Sequence, residues 1–206
     1  MALEPYAEAL AIRTRDVYAG IRATLSLPAS GDVGPASNFG EASVHYFNFY
    51  VGIDNLIEGG VSYTKKFSSR FDQGEWRQFL NPGHDSSPSS VGFSRQIVLE
   101  ITTDAKHRVS LKLGAMPVGS HAGIGPGQVK MVIAAADKVA SGKSYQVWFS
   151  TVTFSKAELL PVGSNTWRTA TPADFQAADH RQPQGRPGVM RQGGGGLLSA
   201  NIPQPT

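Results

Sequence analysis

The chain has no cysteine, few charged residues and no long apolar run, and each absence removes a class of protein. Without cysteine there are no disulfides, no cysteine-ligated zinc and no thiol catalysis. Charged residues make up 17% of the 206 residues, against about 25% in an average soluble protein. No stretch approaches the roughly 18 apolar residues of a membrane-spanning helix. The net charge of +3 comes without runs of lysine or arginine, so we expect neither a nucleic-acid nor a membrane partner.

The first residues also lack the features of a signal peptide. Glu4 and Glu8 lie where a basic segment followed by an apolar one would be needed. This favours an intracellular or particle-associated protein, or an extracellular one if a leader was removed before this sequence begins.

The dominant positive feature is alternation of apolar and polar residues with period two, which is typical of β-strands. Residues 44–51 and 56–63 are apolar on both faces, as in central strands, and residues 95–113 form a clear hairpin with a turn near residue 104. The 23 glycines and 13 prolines supply many turns. Residues 3–12 alone predict one or two helical turns. The sequence therefore predicts an all-β protein, a two-sheet antiparallel β-sandwich or jelly roll.

Composition divides the chain into three parts. We expect an N-terminal extension over residues 1–16, the β-sandwich domain over 17–170, and a Gly/Pro-rich tail over 171–206. Alone, a tail of this composition buries too little apolar surface to offset the entropy of ordering it. It is therefore expected to be flexible or to be ordered by a partner, which makes a homo-oligomer through the tail one interpretation.

Glu58 is the first candidate for a functional side chain. It alternates with Ile57, Val61 and Tyr63, so it points away from the core if those residues form it. The carboxylate is either catalytic, ligand-binding or a plain solvated group. A catalytic pair needs a second carboxylate within reach, and Glu100, at the centre of its strand, is the best candidate.

Two pairs of tryptophan and glutamine form a second candidate group. Trp76 and Gln78 are two residues apart and share a strand face, as do Gln146 and Trp148. An indole can stack on a sugar ring while an amide bonds its hydroxyls, although both residue types also serve in ordinary packing. We expect these four residues and Glu58 to contact a ligand on the concave sheet.

The sequence predicts no metal site and no cofactor. Its five histidines show no ligand spacing of i, i+2 or i, i+4. The acidic residues in turns match no calcium loop, and the glycine run near the C-terminus lacks the strand-before, helix-after context of a phosphate-binding loop.

Several segments resemble the glutamic peptidases, or eqolisins. Residues 49–54 (Phe-Tyr-Val-Gly-Ile-Asp) and 56–61 (Leu-Ile-Glu-Gly-Gly-Val) are similar to the stretch that carries that family's catalytic glutamine. Residues 132–137 and 149–157 are similar to its last two strands, with a matching hairpin between them at 96–113. The resemblance covers roughly residues 44–158 and implies a concanavalin A-like sandwich of two antiparallel sheets.

The same resemblance implies that the catalytic pair is missing. Glu58 lies where the family has its glutamine, and the position of the family's glutamate falls near Lys130 or Met131. The family mechanism requires a carboxylate to activate water and an amide to stabilise the oxyanion. The resemblance thus supports the fold and argues against the activity.

Three functions follow as hypotheses. The first is a non-catalytic module that binds an extended glycan or peptide on the concave sheet. The second is a structural subunit of a larger assembly such as a filament, shell or phage particle. The third is a divergent acid peptidase or glycan hydrolase that uses Glu58.

Overall fold

The computed structural model describes residues 3–34, 44–64, 75–82, 90–91, 95–140, 147–183 and 188–204. Apart from two short 3₁₀ turns, its regular elements are strands: β1 (Leu3–Ser26), β2 (Val33–Gly34), β3 (Val44–Ile53), β4 (Ile57–Thr64), β5 (Glu75–Asn81), β6 (Ser90–Val91), β7 (Gln96–Thr103), β8 (Arg108–Leu113), β9 (Met116–Ala122), β10 (Gly127–Ala140), β11 (Trp148–Pro161), β12 (Arg168–Thr169), β13 (Asp179–Arg181), β14 (Arg191–Gln192) and β15 (Leu198–Ile202). In the described part of the chain, no helix has the length and apolar character needed to span a membrane.

Strand β1 belongs to both layers of the fold. Its first half pairs with β10, the register shifts between Arg13 and Val17, and its second half pairs with β11 and β7. A shift of this kind bends a strand and increases its twist. The helical prediction for residues 3–12 is therefore wrong, because these residues pair with neighbouring strands along their length.

The remaining strands continue the two layers outward from β1. The first layer has the order β13-β1-β10-β3-β4-β5-β6, and the second has the order β14-β15-β11-β1-β7-β8-β9, with all pairings antiparallel. Two short strands, β2 and β12, pair with β11. The hairpin predicted for residues 95–113 is confirmed as β7 and β8.

The core lies between the layers and is built mainly from every second residue of the strands, because alternate side chains point to the same face. Phe149 of β11 meets Phe47 and Phe49 of β3 edge-on, with ring centroids 5.3 Å apart in both pairs. At Gly59 of β4 a methyl group would lie 2.5 Å from Leu111 of β8, so the layers are in close contact there. The predicted antiparallel β-sandwich is confirmed.

The described part of residues 171–206 is ordered by the chain's own strands. β13 pairs with β1, and β15 pairs with β11 and buries Leu198, Ala200 and Ile202 in the core. β15 supplies alternate apolar side chains, although the glycine and proline content of the segment predicts little burial. The described strands of this segment thus obtain burial within the chain, and assembly through the tail stays a prediction.

Candidate functional site

The outer face of the first layer carries Glu58, and we call it the Glu58 face. Antiparallel register aligns its side chains in rows across β1, β10, β3, β4 and β5. One row contains Arg13, Lys130, Gly52, Glu58 and Asn81, and the next contains Ala11, Val132, Tyr50, Gly60 and Phe79. As the alternation predicts, Ile57, Val61 and Tyr63 face the core.

An ion pair lies at the centre of the first row. Lys130 Nζ donates a hydrogen bond of 2.6 Å to Glu58 Oε1. The Lys130 side chain is 7% exposed and that of Glu58 is 30% exposed, so solvent reaches the pair from the carboxylate side. The neighbouring Met131 points into the core and is fully buried. Of the two positions that the resemblance left open, Lys130 is thus the one that faces Glu58.

Gly52 makes this contact possible. In register, Gly52 lies between Lys130 on β10 and Glu58 on β4. A Cβ atom at Gly52 would lie 2.8 Å from Lys130 Cε and 2.7 Å from the carbonyl oxygen of Ile57. The lysine side chain therefore crosses β3 over a residue that has no side chain.

The turn between β3 and β4 helps to hold the ammonium group of Lys130 in place. Asn55 Oδ1 accepts hydrogen bonds from Arg13 at 2.9 Å and from Lys130 Nζ at 3.4 Å. Asp54 Oδ1 accepts a bond of 3.0 Å from the Gln128 backbone N–H, which joins the turn to β10. The two cations Arg13 and Lys130 are balanced at this end of the face by the carboxylates of Glu58 and Asp54.

The second row supplies an apolar surface next to the ion pair. The rings of Tyr50 and Phe79 approach edge to face across Gly60, with centroids 6.0 Å apart. A trough of about 280 Å³ runs from Glu58 and Tyr50 past Asn48 and Ala134 to Arg181 at the β13 edge. Small residues thus keep the middle of the face open.

Trp76 and Gln78 do not belong to this face. Trp76 is fully buried between the layers, where its ring centroid lies 5.0 Å from those of Phe49 and Tyr63. Gln78 follows on the same side of β5 and is 4% exposed. The prediction that they contact a ligand on the concave sheet is wrong, because the face that they share is the core face. Both the Trp76 indole nitrogen and Gln78 Oε1 lack a hydrogen-bond partner among the described atoms.

The second predicted pair does not join Glu58 either. Trp148 begins β11 in the other layer, pairs with Gly34 and packs half-buried against the core. The prediction that it shares a binding face with Glu58 is wrong, because the two layers separate them. Gln146 lies outside the described residues.

Glu100 also lies on the opposite outer face. It continues a row of alternating charges across β11, β1, β7 and β8, with Arg22 4.0 Å away and Lys112 Nζ at 3.1 Å. In this row Arg22 donates two hydrogen bonds to Glu158, of 2.6 and 3.0 Å, which lower the pKa of that carboxyl. The prediction that Glu58 and Glu100 form a catalytic pair is therefore wrong, because the two layers of the sandwich lie between them.

The structure adds no candidate metal centre. No group of three or more histidine, aspartate or glutamate side chains in the described ranges is arranged to hold a metal ion.

The partner of Glu58 is a lysine, at a position where the resemblance implies a carboxylate. The alternation of residues along β10 indicates this partner, because it places Lys130 and Met131 on opposite faces of the strand.

Comparison with known proteins identifies the fold. No protein-family model and no curated protein matches the chain. Among solved structures, it is similar to SCP-B, a member of the eqolisin family of peptidases in a complex with the tripeptide Ala-Ile-His, with a TM-score of 0.55, 15% identity, and coverage of 97% of this chain and 98% of that one. Scytalido-glutamic peptidase with a peptide-based transition state analog gives a TM-score of 0.53, 14% identity, and coverage of 97% and 99%.

A second structure of scytalido-glutamic peptidase, with a transition state analog inhibitor, gives a TM-score of 0.56 at 14% identity. The match extends over 97% of this chain, well beyond the segments in which the sequence shows the resemblance. At such low identity the likeness concerns the fold alone. The chain thus resembles the eqolisins in fold, with a two-layer β-sandwich similar to theirs.

Proposed function

We propose that the Glu58 face binds extended peptide segments without cleaving them. The observation that carries the proposal is the Lys130–Glu58 ion pair, at the two positions where the resemblance implies a carboxylate and an amide. Water activation needs a carboxylate that can accept a proton, and oxyanion stabilisation needs a neighbouring donor. Here Glu58 Oε1 accepts a hydrogen bond of 2.6 Å from the Lys130 ammonium group, so this oxygen is bonded to the lysine rather than to a reacting water.

The shape of the face supports an extended chain as the ligand. The trough of about 280 Å³ crosses several strands and is lined by small side chains, with Asn48 and Arg181 available for polar contacts. The Tyr50 and Phe79 rings offer an apolar surface beside it. Aromatic anchors next to a few polar groups are typical of binding sites.

A peptide fits this face better than a glycan does. The tryptophans that motivated a glycan lie in the core or in the other layer, so the face lacks those platforms. The solved structures of the same fold contain a tripeptide and a peptide-based analog.

The test is a binding measurement on the full chain with a fluorescently labelled pool of short synthetic peptides. Tyr50→Ala and Phe79→Ala are expected to weaken retention by about tenfold or more, because each removes aromatic contact area. Val98→Ala is the matched control, since Val98 is exposed on the outer face of the other layer. The proposal fails if no peptide is retained, or if all three variants bind as the unchanged protein does.

A further inference from the structure

A cavity lies on the opposite side of the molecule from the Glu58 face, and we call it the Trp167 cavity. Its volume is about 670 Å³, and its polar and aromatic lining includes Glu100, Thr102, Asp104, His107, Asn165 and Trp167. This volume is in the range of small-molecule sites, about 300–1,000 Å³. In register, Gly20 lies between Leu160 and Thr102, and a Cβ atom at Gly20 would lie 2.5 Å from the Ile101 carbonyl oxygen, so the strands approach closely beneath the cavity.

Trp167 forms one wall of the cavity, and its ring contacts Arg22. The guanidinium carbon of Arg22 lies 4.7 Å from the Trp167 ring centroid, a cation–π contact. Arg22 itself is fixed by two hydrogen bonds to Glu158. The indole is therefore supported by a guanidinium whose own position is set by the strand beneath it.

The polar groups around the cavity have unused hydrogen-bonding capacity. The Thr102 hydroxyl and the Asn165 amide make no hydrogen bond to the described residues. Asp104 Oδ1 accepts bonds from the backbone N–H groups of Lys106 and Arg108, at 2.8 and 2.9 Å, which fixes the carboxylate at the rim. Glu100 is 18% exposed and adds a second acceptor.

We propose that the Trp167 cavity binds a neutral pyranose sugar. The apolar face of the ring stacks on Trp167, and its hydroxyls donate to Glu100 and Asp104 and bond to Thr102 and Asn165. Two carboxylates oppose an anionic ligand. The row formed by Glu158, Arg22, Glu100 and Lys112 is balanced in charge, and Asp104 lies beside the cations Arg108 and Lys106, so the carboxylates are already compensated without a bound cation. The site is independent of the Glu58 face and of any peptide bound there.

The experiment follows the indole N–H signals of the three tryptophans by ¹H–¹⁵N NMR while sugars are added to the full chain. The probes are glucose, galactose, mannose, N-acetylglucosamine and their β-linked disaccharides. Substitution of each tryptophan by phenylalanine assigns the three signals. We expect saturable movement of the Trp167 signal with at least one sugar, while the Trp76 signal stays in place because that side chain is fully buried.

Variants separate stacking from indirect effects. Trp167→Ala is expected to abolish the saturation and Trp167→Phe to retain weaker binding, whereas Trp148→Phe is the matched control and is expected to bind as the unchanged protein does. Asn165→Ala and Thr102→Val test the site by a second route if Trp167→Ala does not fold, and each is expected to weaken binding several-fold. The proposal is overturned if no sugar moves the Trp167 signal saturably, or if the folded variants in the cavity bind as well as the control.

Discussion

Lys130 reaches Glu58 across an intervening strand, because Gly52, which lies between them, has no side chain. Their contact of 2.6 Å joins β10 to β4 on the outer face. Removing one partner of a poorly exposed pair leaves the other charge without compensation, which costs more than the net stabilisation by the pair. The contact therefore both shapes the candidate binding face and makes it sensitive to single substitutions.

Gly52→Ala is expected to destabilise the protein by about 1–3 kcal/mol, because overpacking forces the backbone or the lysine to move. The added methyl group would lie 2.7 Å from the Ile57 carbonyl oxygen, which strand pairing holds in place. The free energy of unfolding in urea measures the effect. Gly31→Ala is the matched control, since no atom would lie within 4 Å of its new methyl group. If Gly52→Ala unfolds with the same free energy as Gly31→Ala, β3 accommodates the methyl group without loss of stability, and the prediction is wrong.

A double-mutant cycle measures how strongly the pair is coupled. Glu58→Gln and Lys130→Met, alone and combined, are expected to show a coupling free energy of about 1–2 kcal/mol, reduced from fully buried pairs because Glu58 is partly solvated. The exposed pair Asp179–Arg181, with side chains 61% and 71% exposed, is the control and should show no measurable coupling. Additive effects at Glu58 and Lys130 would contradict a structural role for the contact.

Sequence patterns predicted the parts of the fold in which a strand's own alternation is sufficient. The two central strands, β3 and β4, and the β7–β8 hairpin agree with the predicted segments within a few residues. Residues 3–12 were predicted helical because small and apolar residues also fit a helical face, and only pairing with β10 makes them a strand. The C-terminal strands were missed because their burial depends on β11 and β1, which are distant in sequence.

The candidate site was harder to predict than the fold. Alternation correctly placed Glu58 outside the core, but it could not say which face of β5 Trp76 occupies or in which layer Glu100 lies. Those answers depend on register and strand order, which a single sequence does not determine. The partner of Glu58 was identifiable only after β10 and β4 were both known to flank β3.

The C-terminal segment is anchored by a buried carboxylate. Glu8 accepts hydrogen bonds from the backbone N–H groups of Val189 and Met190, at 2.9 and 3.0 Å, and contacts His180 Nε2 at 2.6 Å. Glu8→Ala removes the acceptor from the buried Met190 N–H and from the partly buried Val189 and His180 groups, and is expected to cost about 1–3 kcal/mol. Hydrogen exchange should show the largest loss of protection near residues 188–202, whereas the exposed control Asp32→Ala should not. Unchanged protection would mean that β15 pairing alone orders the segment.

The stabilisation of the fold by the Asp174 carboxylate is expected to be lost in acid. Arg168 donates to Asp174 at 2.6 and 3.1 Å, and with the Thr171 backbone N–H it lowers the pKa of Asp174 well below its usual range. Since the folded pKa lies below the unfolded value of about 3.9, the carboxylate stabilises the fold above about pH 4 and loses this effect as the pH falls. The difference in melting temperature between the protein and Asp174→Asn should therefore shrink below about pH 4. A difference that is constant with pH would exclude this role.

Assembly through the tail stays a prediction, and light scattering of the full chain measures it. Truncation after Phe175 is expected to destabilise the protein itself. Removing β15 uncovers β11 and deletes Leu198, Ala200 and Ile202 from the core, so the shortened chain should unfold or aggregate.

The most direct test of a binding face without catalysis is mass spectrometry of a defined peptide pool, incubated with the full chain from acid to neutral pH. The account predicts that peptides retained by the Glu58 face are recovered intact at every pH, because Lys130 lies where the resemblance implies the family's carboxylate. Cleavage that is abolished by Glu58→Gln, but not by Val98→Ala, would contradict it.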